Sequence, residues 1–430
     1  MWKSVLKQMW NRKRSNSWLI TELFLVFCLT WLITDYLFVY VYNNSLPNYR
    51  NVENTLKVNL SEFDENHPDY DPEANSPEAL EANYARILQN IRTYPGIEAI
   101  SVSFDGSTPG GTSSWGKNFV NVKDTTITGG GQCITMDPNE DYLKVFGFST
   151  DDGAKKISVK DFDWGANGIV LNRISAKTMF PDGNAIGQEL RNYGNPNERY
   201  TVVGIIDNTK RFDYLRPQIY FYLTRRYNAE NLKKAEISVR YSQSVNENRF
   251  EEQFKSDMAN MFQIGNFYLL SIIPYTKIND NTRIQFGYDS IVKQIVYIGI
   301  FFLLCIYLCV TGTFWYRISL RTNETGIRKA TGATNTGIRN MMIGEGIWLL
   351  IIIAIPAMLL EYQFVHADII PTLGRQSAPD PQYLPDRIFV RFLITNAITF
   401  LFLFVVITSA IWLPANKAAS LCPADALHDE

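Results

Sequence analysis

Histidine is scarce in this chain, with three residues among 430: His67, His366 and His428, each in a different region. Cysteine is little commoner, with five: Cys28, Cys133, Cys305, Cys309 and Cys422. Neither set has zinc-ligand spacing, and no Ser-His-Asp arrangement can be assembled from motif spacing. Cys305 and Cys309 stand one helical turn apart in an apolar run and are expected to be small packing residues rather than a redox pair. An excess of charge of one sign is missing too. The 41 basic and 43 acidic residues leave a net −2, too little to coat nucleic acid through bulk charge, so none is expected as a partner. A mean hydropathy of −0.11 has no membrane signature, and the composition excludes a disordered or collagen-like chain.

These averages conceal an uneven distribution. Four stretches approach or exceed the ~20 apolar residues that cross a bilayer. They are Ser17 to Tyr42, interrupted by Glu22 and Asp35; Gln294 to Tyr316, uncharged; Met341 to Glu361, with Glu345 and Pro356 inside; and Phe392 to Leu413, uncharged. Lys3, Lys7, Arg12, Lys13 and Arg14 precede the first, and Arg317, Arg321, Arg328, Lys329 and Arg339 lie between the second and third. By contrast, Glu62 to Glu81 carries eight acids and no base. The positive-inside rule then places both termini and the middle loop in the cytoplasm. The first span has a long basic leader and no small-residue cleavage pattern after it, so it is expected to remain as an anchor. Trp2, Val5, Leu6, Met9 and Trp10 repeat at helical spacing, which predicts an amphipathic helix on the cytoplasmic membrane surface.

The expected fold class is an α-helical membrane protein with four transmembrane helices and a large mixed α+β extracytoplasmic domain in two lobes. Its expected divisions are an amphipathic helix (1–16), spans at 17–42, 291–316, 341–361 and 391–413, and the outer domain at 43–290. A cytoplasmic loop (317–340), a short outer loop (362–390) and a cytoplasmic tail (414–430) complete it. Only Cys133 falls in the outer domain, which therefore has no internal disulfide.

Within the outer domain, Ala82 to Thr93 and Val245 to Phe262 have helical periodicity, the latter with Phe250, Phe254, Met258 and Met261 on one core-facing stripe. Ile97 to Phe104, Ile169 to Leu171, Tyr200 to Ile206, Gln218 to Leu223 and Tyr268 to Ile273 read as strands. A helix is expected around Ser175 to Phe180, and a helical stalk from Ile278 into the second span. The Gly- and Asp-rich stretch from Thr108 to Asp163 is assigned to the second lobe. Gly111 to Asn118 nearly fits G-x-x-x-x-G-K-[ST], but Asn118 replaces the hydroxyl that would hold magnesium, and no strong apolar strand precedes it. It reads as a Gly/Ser-rich loop, so the chain is expected to be neither an ATPase nor an enzyme of another kind.

Three carboxylates interrupt the spans. Glu22 and Glu345 lie near the cytoplasmic ends, where a Lys or Arg at the same level can pair with them. Asp35 lies toward the outer face beside Tyr36, and no second acid or histidine shares its level by sequence, which argues against proton coupling. Pro356 is expected to kink the third span because it removes a helix hydrogen bond.

The middle loop carries the most specific signal. Glu324-Thr325-Gly326-Ile327-Arg328-Lys329-Ala330-Thr331-Gly332-Ala333-Thr334 reads as a short basic helix with Gly326 and Gly332 at its bends. It can present Arg328 and Lys329 to an acidic groove, and its bases serve the positive-inside rule equally well. This segment closely resembles the coupling segment of MacB/FtsX-type ABC transporter permeases, close to E-I-G-I-R-K-A-x-G-A-T, with Glu345 matching a Glu of the helix that follows. Pro414-Ala415-Asn416-Lys417-Ala418-Ala419 and Pro423 to Leu427 are similar to that family's ending. Ile169 to Asn172, Ala176-Lys177, Phe180, Ala185 to Gly187 and Val202 to Ile205 resemble its periplasmic core domain. Thr325 and Asn335 depart from the pattern, and the first span lacks the family's small residues.

The resemblance implies a permease subunit without a fused ATPase domain. Glu324, Gly326, Ile327, Arg328, Lys329, Ala330, Gly332 and Ala333 would couple to a separate ABC ATP-binding subunit, which uses ATP and Mg. It implies a homodimer or a heterodimer with a related permease, contact with membrane lipid, a periplasmic adaptor or outer-membrane component as a further partner, and location in a bacterial inner membrane. The expected work is export or extraction of a drug, peptide or lipoprotein by mechanotransmission. The alternative is an FtsX-like regulator that activates an extracytoplasmic enzyme without transport.

Overall fold

The structure, a computed structural model, describes residues 13–48, 50–111, 115–150, 153–243, 247–367 and 383–420. The amphipathic helix expected over 1–16, most of the outer loop at 362–390 and the ending from Pro423 to Leu427 therefore fall largely or wholly outside the described residues. The chain divides into two compact units, Met1–Tyr42 with Asp289–Glu430, and Asn43–Tyr288.

Among the described residues, the helical unit has four helices long and apolar enough to cross a membrane: α1 (Lys13–Ser45, its apolar part Ile20–Ser45), α7 (Tyr288–Ser319), α9 (Asn335–His366) and α10 (Ile388–Ser420). They extend beyond the expected span limits because flanking polar residues continue the helices. A short helix, α8 (Thr322–Ala330), lies between α7 and α9. Leu23 and Phe27 of α1, Val310 and Phe314 of α7, and Leu349, Ile353, Leu403 and Ile407 of α9 and α10 share one apolar core. Small residues bring α9 and α10 together: a Cβ on Gly346 would lie 2.1 Å from Ile411 Cδ1. Pro356 lies inside a helix that continues past it to His366. On α7, Cys305 and Cys309 are exposed in the chain alone.

The outer unit is built on a ten-stranded sheet in the order β10-β1-β9-β2-β4-β3-β6-β7-β5-β8, with β8 also paired to β4. Its strands are β1 (Thr55–Glu62), β2 (Ile97–Phe104), β3 (Gly116–Asn121), β4 (Thr128–Met136), β5 (Gly168–Asn172), β6 (Glu189–Asn192), β7 (Arg199–Ile206), β8 (Tyr220–Thr224), β9 (Glu236–Tyr241) and β10 (Phe267–Pro274). The parallel β4–β8 pairing, running from Gln132 opposite Tyr220 to Met136 opposite Thr224, closes strands β4-β3-β6-β7-β5-β8 into a six-stranded ring. Closure leaves those strands without a free edge.

Strands β1, β2 and β9 are covered by α2 (Pro77–Thr93) and α5 (Glu247–Met261) through Leu56, Val102, Ile87, Ile91 and Phe254. Helix α2 begins where Ser76 caps the backbone of Ala79 with Pro77 in the first turn, and its buried Leu80, Tyr84, Ile87, Leu88 and Ile91 form one stripe. Burying each large apolar side chain contributes about 1.5–3 kcal/mol. The stripe on α5 differs from expectation at its end: Met261 is 40% exposed, and Phe262 turns into the core instead.

In the ring, Ile169, Leu171, Phe221 and Leu223 enter one cluster with α4 (Arg173–Met179). Val170, Tyr220 and Tyr222 enter another with α3 (Tyr142–Val145). Cys133 is buried in the former, where burial pushes its thiol up to about 11. The expected stalk is broken. Helix α6 (Tyr275–Gln285) stops before Gly287, and α7 begins anew at Tyr288. Lys117 and Asn118 lie on β3, paired with β4, so the near-P-loop sequence does not open a helix as a phosphate-cradling loop must.

Candidate functional site: helix α8 and the buried charges of the helical unit

Helix α8 carries Glu324 in its first turn and Arg328 and Lys329 in its last, the arrangement that complements the helix dipole. Arg328 Nη2 donates to Glu324 Oε1 at 2.8 Å, one turn back on the same helix. Glu324 also faces Arg321 at 3.9 Å, and Arg321 Nη1 reaches both oxygens of Glu345 on α9 at 2.8 and 2.9 Å. These contacts form a ladder from Arg328 through Glu324 and Arg321 to Glu345, which ties α8 to α9. Glu345 thus has the basic partner expected of it. Glu22 does not: it lies beside Cys309 of α7, and among the described residues no basic side chain pairs with it.

The two glycines of the segment have different roles. Gly326 is not at a bend; it sits inside α8, buried with Thr325 where the helix packs on α10. Gly332 does form the bend, with φ +98°. Its amide donates to Lys329 O at 3.0 Å and that of Ala333 donates to Arg328 O at 2.9 Å, a pair of bonds that closes the helix end around a left-handed residue. Thr334 then caps α9, accepting from Gly337 N at 3.1 Å. The run Ala330-Thr331-Gly332-Ala333-Thr334 is therefore a stop, a turn and a start. What α8 leaves outside is Ile327, 56% exposed, with Ala330, Gly332 and Ala333 beside it in the chain, also exposed. Arg328 is folded onto its own helix, and Lys329 is partly buried. The exposed surface is thus small-residue and apolar more than basic.

A second constellation lies at the other end of the helices. Asp35 of α1 is fully buried. Arg391 of α10 binds it with both ends of its guanidinium, Nε to Oδ1 at 2.8 Å and Nη2 to Oδ2. Trp31 Nε1 donates to Thr395 Oγ1 at 3.0 Å one turn along. Glu361 of α9, also fully buried, lies within electrostatic range of Asp35, which corrects the expectation that no second acid shares its level. Sequence reasoning missed Arg391 because it falls at the margin of the fourth apolar run, where a base looks like an interfacial flank. The available signal was the pair of carboxylates at matching depth, Asp35 and Glu361, each in need of a partner.

Four apolar helices joined to a large mixed α/β unit describe a membrane protein with an extracellular domain, and the comparisons define its class. The MacB-like periplasmic core domain matches residues 37–257, and the FtsX-like permease C-terminal domain matches residues 296–423. The chain is thus of the ABC transporter permease class, whose members work with an ABC ATPase and are typically not catalytic themselves. It belongs to the MacB/FtsX-type permease family. Among solved structures it is similar to the periplasmic region of MacB from Actinobacillus actinomycetemcomitans, at 12% identity and TM-score 0.31 over 54% of this chain and 93% of that one. It is also similar to the extracellular domain of the noncanonic ABC-type transporter YknZ from Gram-positive bacteria, at 14% identity and TM-score 0.29 over 51% of this chain and 100% of that one. No curated protein matches the sequence.

Proposed function

We propose that this chain is the permease subunit of an ABC transporter in a bacterial inner membrane, with both termini and α8 in the cytoplasm. Separate ATP-binding subunits dock on α8, bind and hydrolyse ATP with Mg, and drive motions that the helices pass to the outer domain. The functional unit is a dimer with a second copy or a related permease. The outer domain acts as two lobes, one centred on β1, β2 and β9 and one on the strand ring, to move a drug, peptide or lipoprotein on the outer side.

The observation that carries this reading is the anchoring of α8. The ladder to Glu345 and the buried Thr325–Gly326 face fix the helix to α9 and α10, while Ile327 projects from it. A helix held at that many points transfers a push instead of absorbing it. The small residues that follow, from Ala330 to Ala333, let a partner approach closely. Purification of the full chain from its native membrane in mild detergent is expected to retain an ATPase activity. Ile327→Asp is expected to lower the retained activity at least tenfold while leaving permease yield unchanged. Equal activity with Ile327→Asp, or none with the unmodified chain, overturns the docking.

A further inference from the structure

The outer unit holds a buried cation that has no counter-ion among the described residues. Arg50 is 8% exposed, and its Nη2 donates to the backbone oxygen of Arg211 at 2.5 Å. Its Nε has no acceptor, and among the described residues no carboxylate lies within ion-pair distance of it. Its surroundings add to the imbalance. Lys210 feels Arg50 as a like charge, and Arg211 follows in the chain. Asp213, an acid near Lys210, accepts at its Oδ1 from Asn48 Nδ2 at 2.9 Å. The buried phenols of Tyr142, Tyr220 and Tyr222 also lie within range of the Arg50 charge and offer no compensating negative one. A buried charge of this kind is costly unless something neutralises it.

Arg50 and Arg211 line a small cavity of about 30 Å³, with Ser107, Gly110, Trp115 and Gln132 among its other walls. The glycine-rich wall is held in place. A Cβ on Gly110 would lie 1.9 Å from Asn279 Oδ1, and Thr282 Oγ1 donates to Gly110 O at 2.6 Å, so α6 presses the loop into position. Tyr142 Oη donates to Ser107 O at 2.6 Å from the other side. The cavity has room for one small group at a time. Water itself fits but leaves the charge uncompensated.

We propose that this pocket binds one small monovalent anion, a halide or a carboxylate group, against the Arg50 guanidinium. Guanidinium matches such anions through paired N–H donors, and the Arg50 side chain lines this cavity. Trp115, 58% exposed, leaves one wall of the pocket in contact with solvent.

The test uses the full chain in detergent, with its thermal midpoint followed as sodium chloride, sodium acetate or sodium methanesulfonate is added at constant ionic strength. Binding to the folded state raises the midpoint by mass action. Chloride and acetate are expected to raise it by a few degrees and saturate, while methanesulfonate, with its larger head, does not. In Arg50→Met the three salts are expected to coincide, and in Arg50→Lys a weaker response to chloride remains. Coincident curves in the unmodified chain, or an undiminished chloride response in Arg50→Met, overturn the proposal. Should Arg50→Met fail to fold, crystals of the unmodified chain soaked in sodium bromide decide it. Anomalous scattering against Arg50 supports the site, and a pocket without it refutes the site.

Discussion

Lys210 shows how one side chain is bound to the way the chain leaves the first helix. It is 1% exposed, and its ammonium donates to Asn43 O, Leu46 O and Asp213 O at 2.8, 2.9 and 2.8 Å. Asn43 lies in the last turn of α1, whose final carbonyls have no partner within the helix, so Lys210 satisfies one of them with a positive charge. Burial lowers the ammonium from 10.5 to about 8, with Asp213 drawing it back up and Arg50 pushing it down. Below pH 8 the folded and unfolded chains both hold the proton, and the cost of burying the charge is fully present. Between pH 8 and 10.5 the unfolded chain binds a proton that the folded one has released, so stability rises with pH through that window. Relative to Lys210→Arg, which stays charged, the thermal midpoint of the unmodified full chain is expected to climb from pH 8 to 10. A constant difference across that range contradicts the assignment.

Strand β4 is the clearest case of an element that local sequence conceals. Gly129-Gly130-Gly131 reads as a flexible loop, yet these residues pair with β3 in a regular antiparallel ladder. The reason lies in what surrounds them. A Cβ on Gly129 would meet Met179 Sδ at 2.6 Å, and one on Gly130 would meet Asn118 Oδ1 at 2.2 Å. One on Gly131 would meet the backbone oxygen of Ile219 at 2.5 Å, where β8 comes in to close the ring. A side chain can swing away, but that backbone cannot. Gly131→Val is therefore expected to destabilise the protein by about 1–3 kcal/mol, the usual cost of overpacking. Gly194→Ala, where the nearest atom to a new Cβ is 3.8 Å away, should change little. Comparing both variants by urea unfolding of the outer domain tests whether ring closure needs glycine. In α8 the situation is reversed. Its motif is legible in sequence, but only the structure separates Gly332, which ends a helix, from Gly326, which packs inside one.

At the scale of the whole molecule, the outer unit from Asn43 to Tyr288 contains three apolar clusters of its own. Both of its ends are tied to the segment between β7 and β8, through Lys210 to Asn43 and Leu46 and through Tyr214, whose ring centroid lies 4.3 Å from that of Tyr288. Residues 43–288 expressed without the helices are expected to unfold in a single cooperative step in urea, followed by tryptophan fluorescence. A gradual or absent transition rules out an autonomous domain.

The four long helices, the division into a helical and a mixed unit, and most strands with strong apolar periodicity were legible in the chain, as was the family motif that α8 carries. Weak strands such as β1, β3, β6 and β9 were not, because their short or polar runs become strands only through the partners that flank them. Apolar length and flanking charge are local properties, so the sequence by itself determined that the chain is built to cross a membrane and to carry a large polar domain. Pairings such as Asp35 with Arg391, 356 residues apart, and the closure of β4 on β8 are not local. Only the tertiary structure decided them, because a buried charge and a glycine-rich strand are tolerable only where a distant partner completes them.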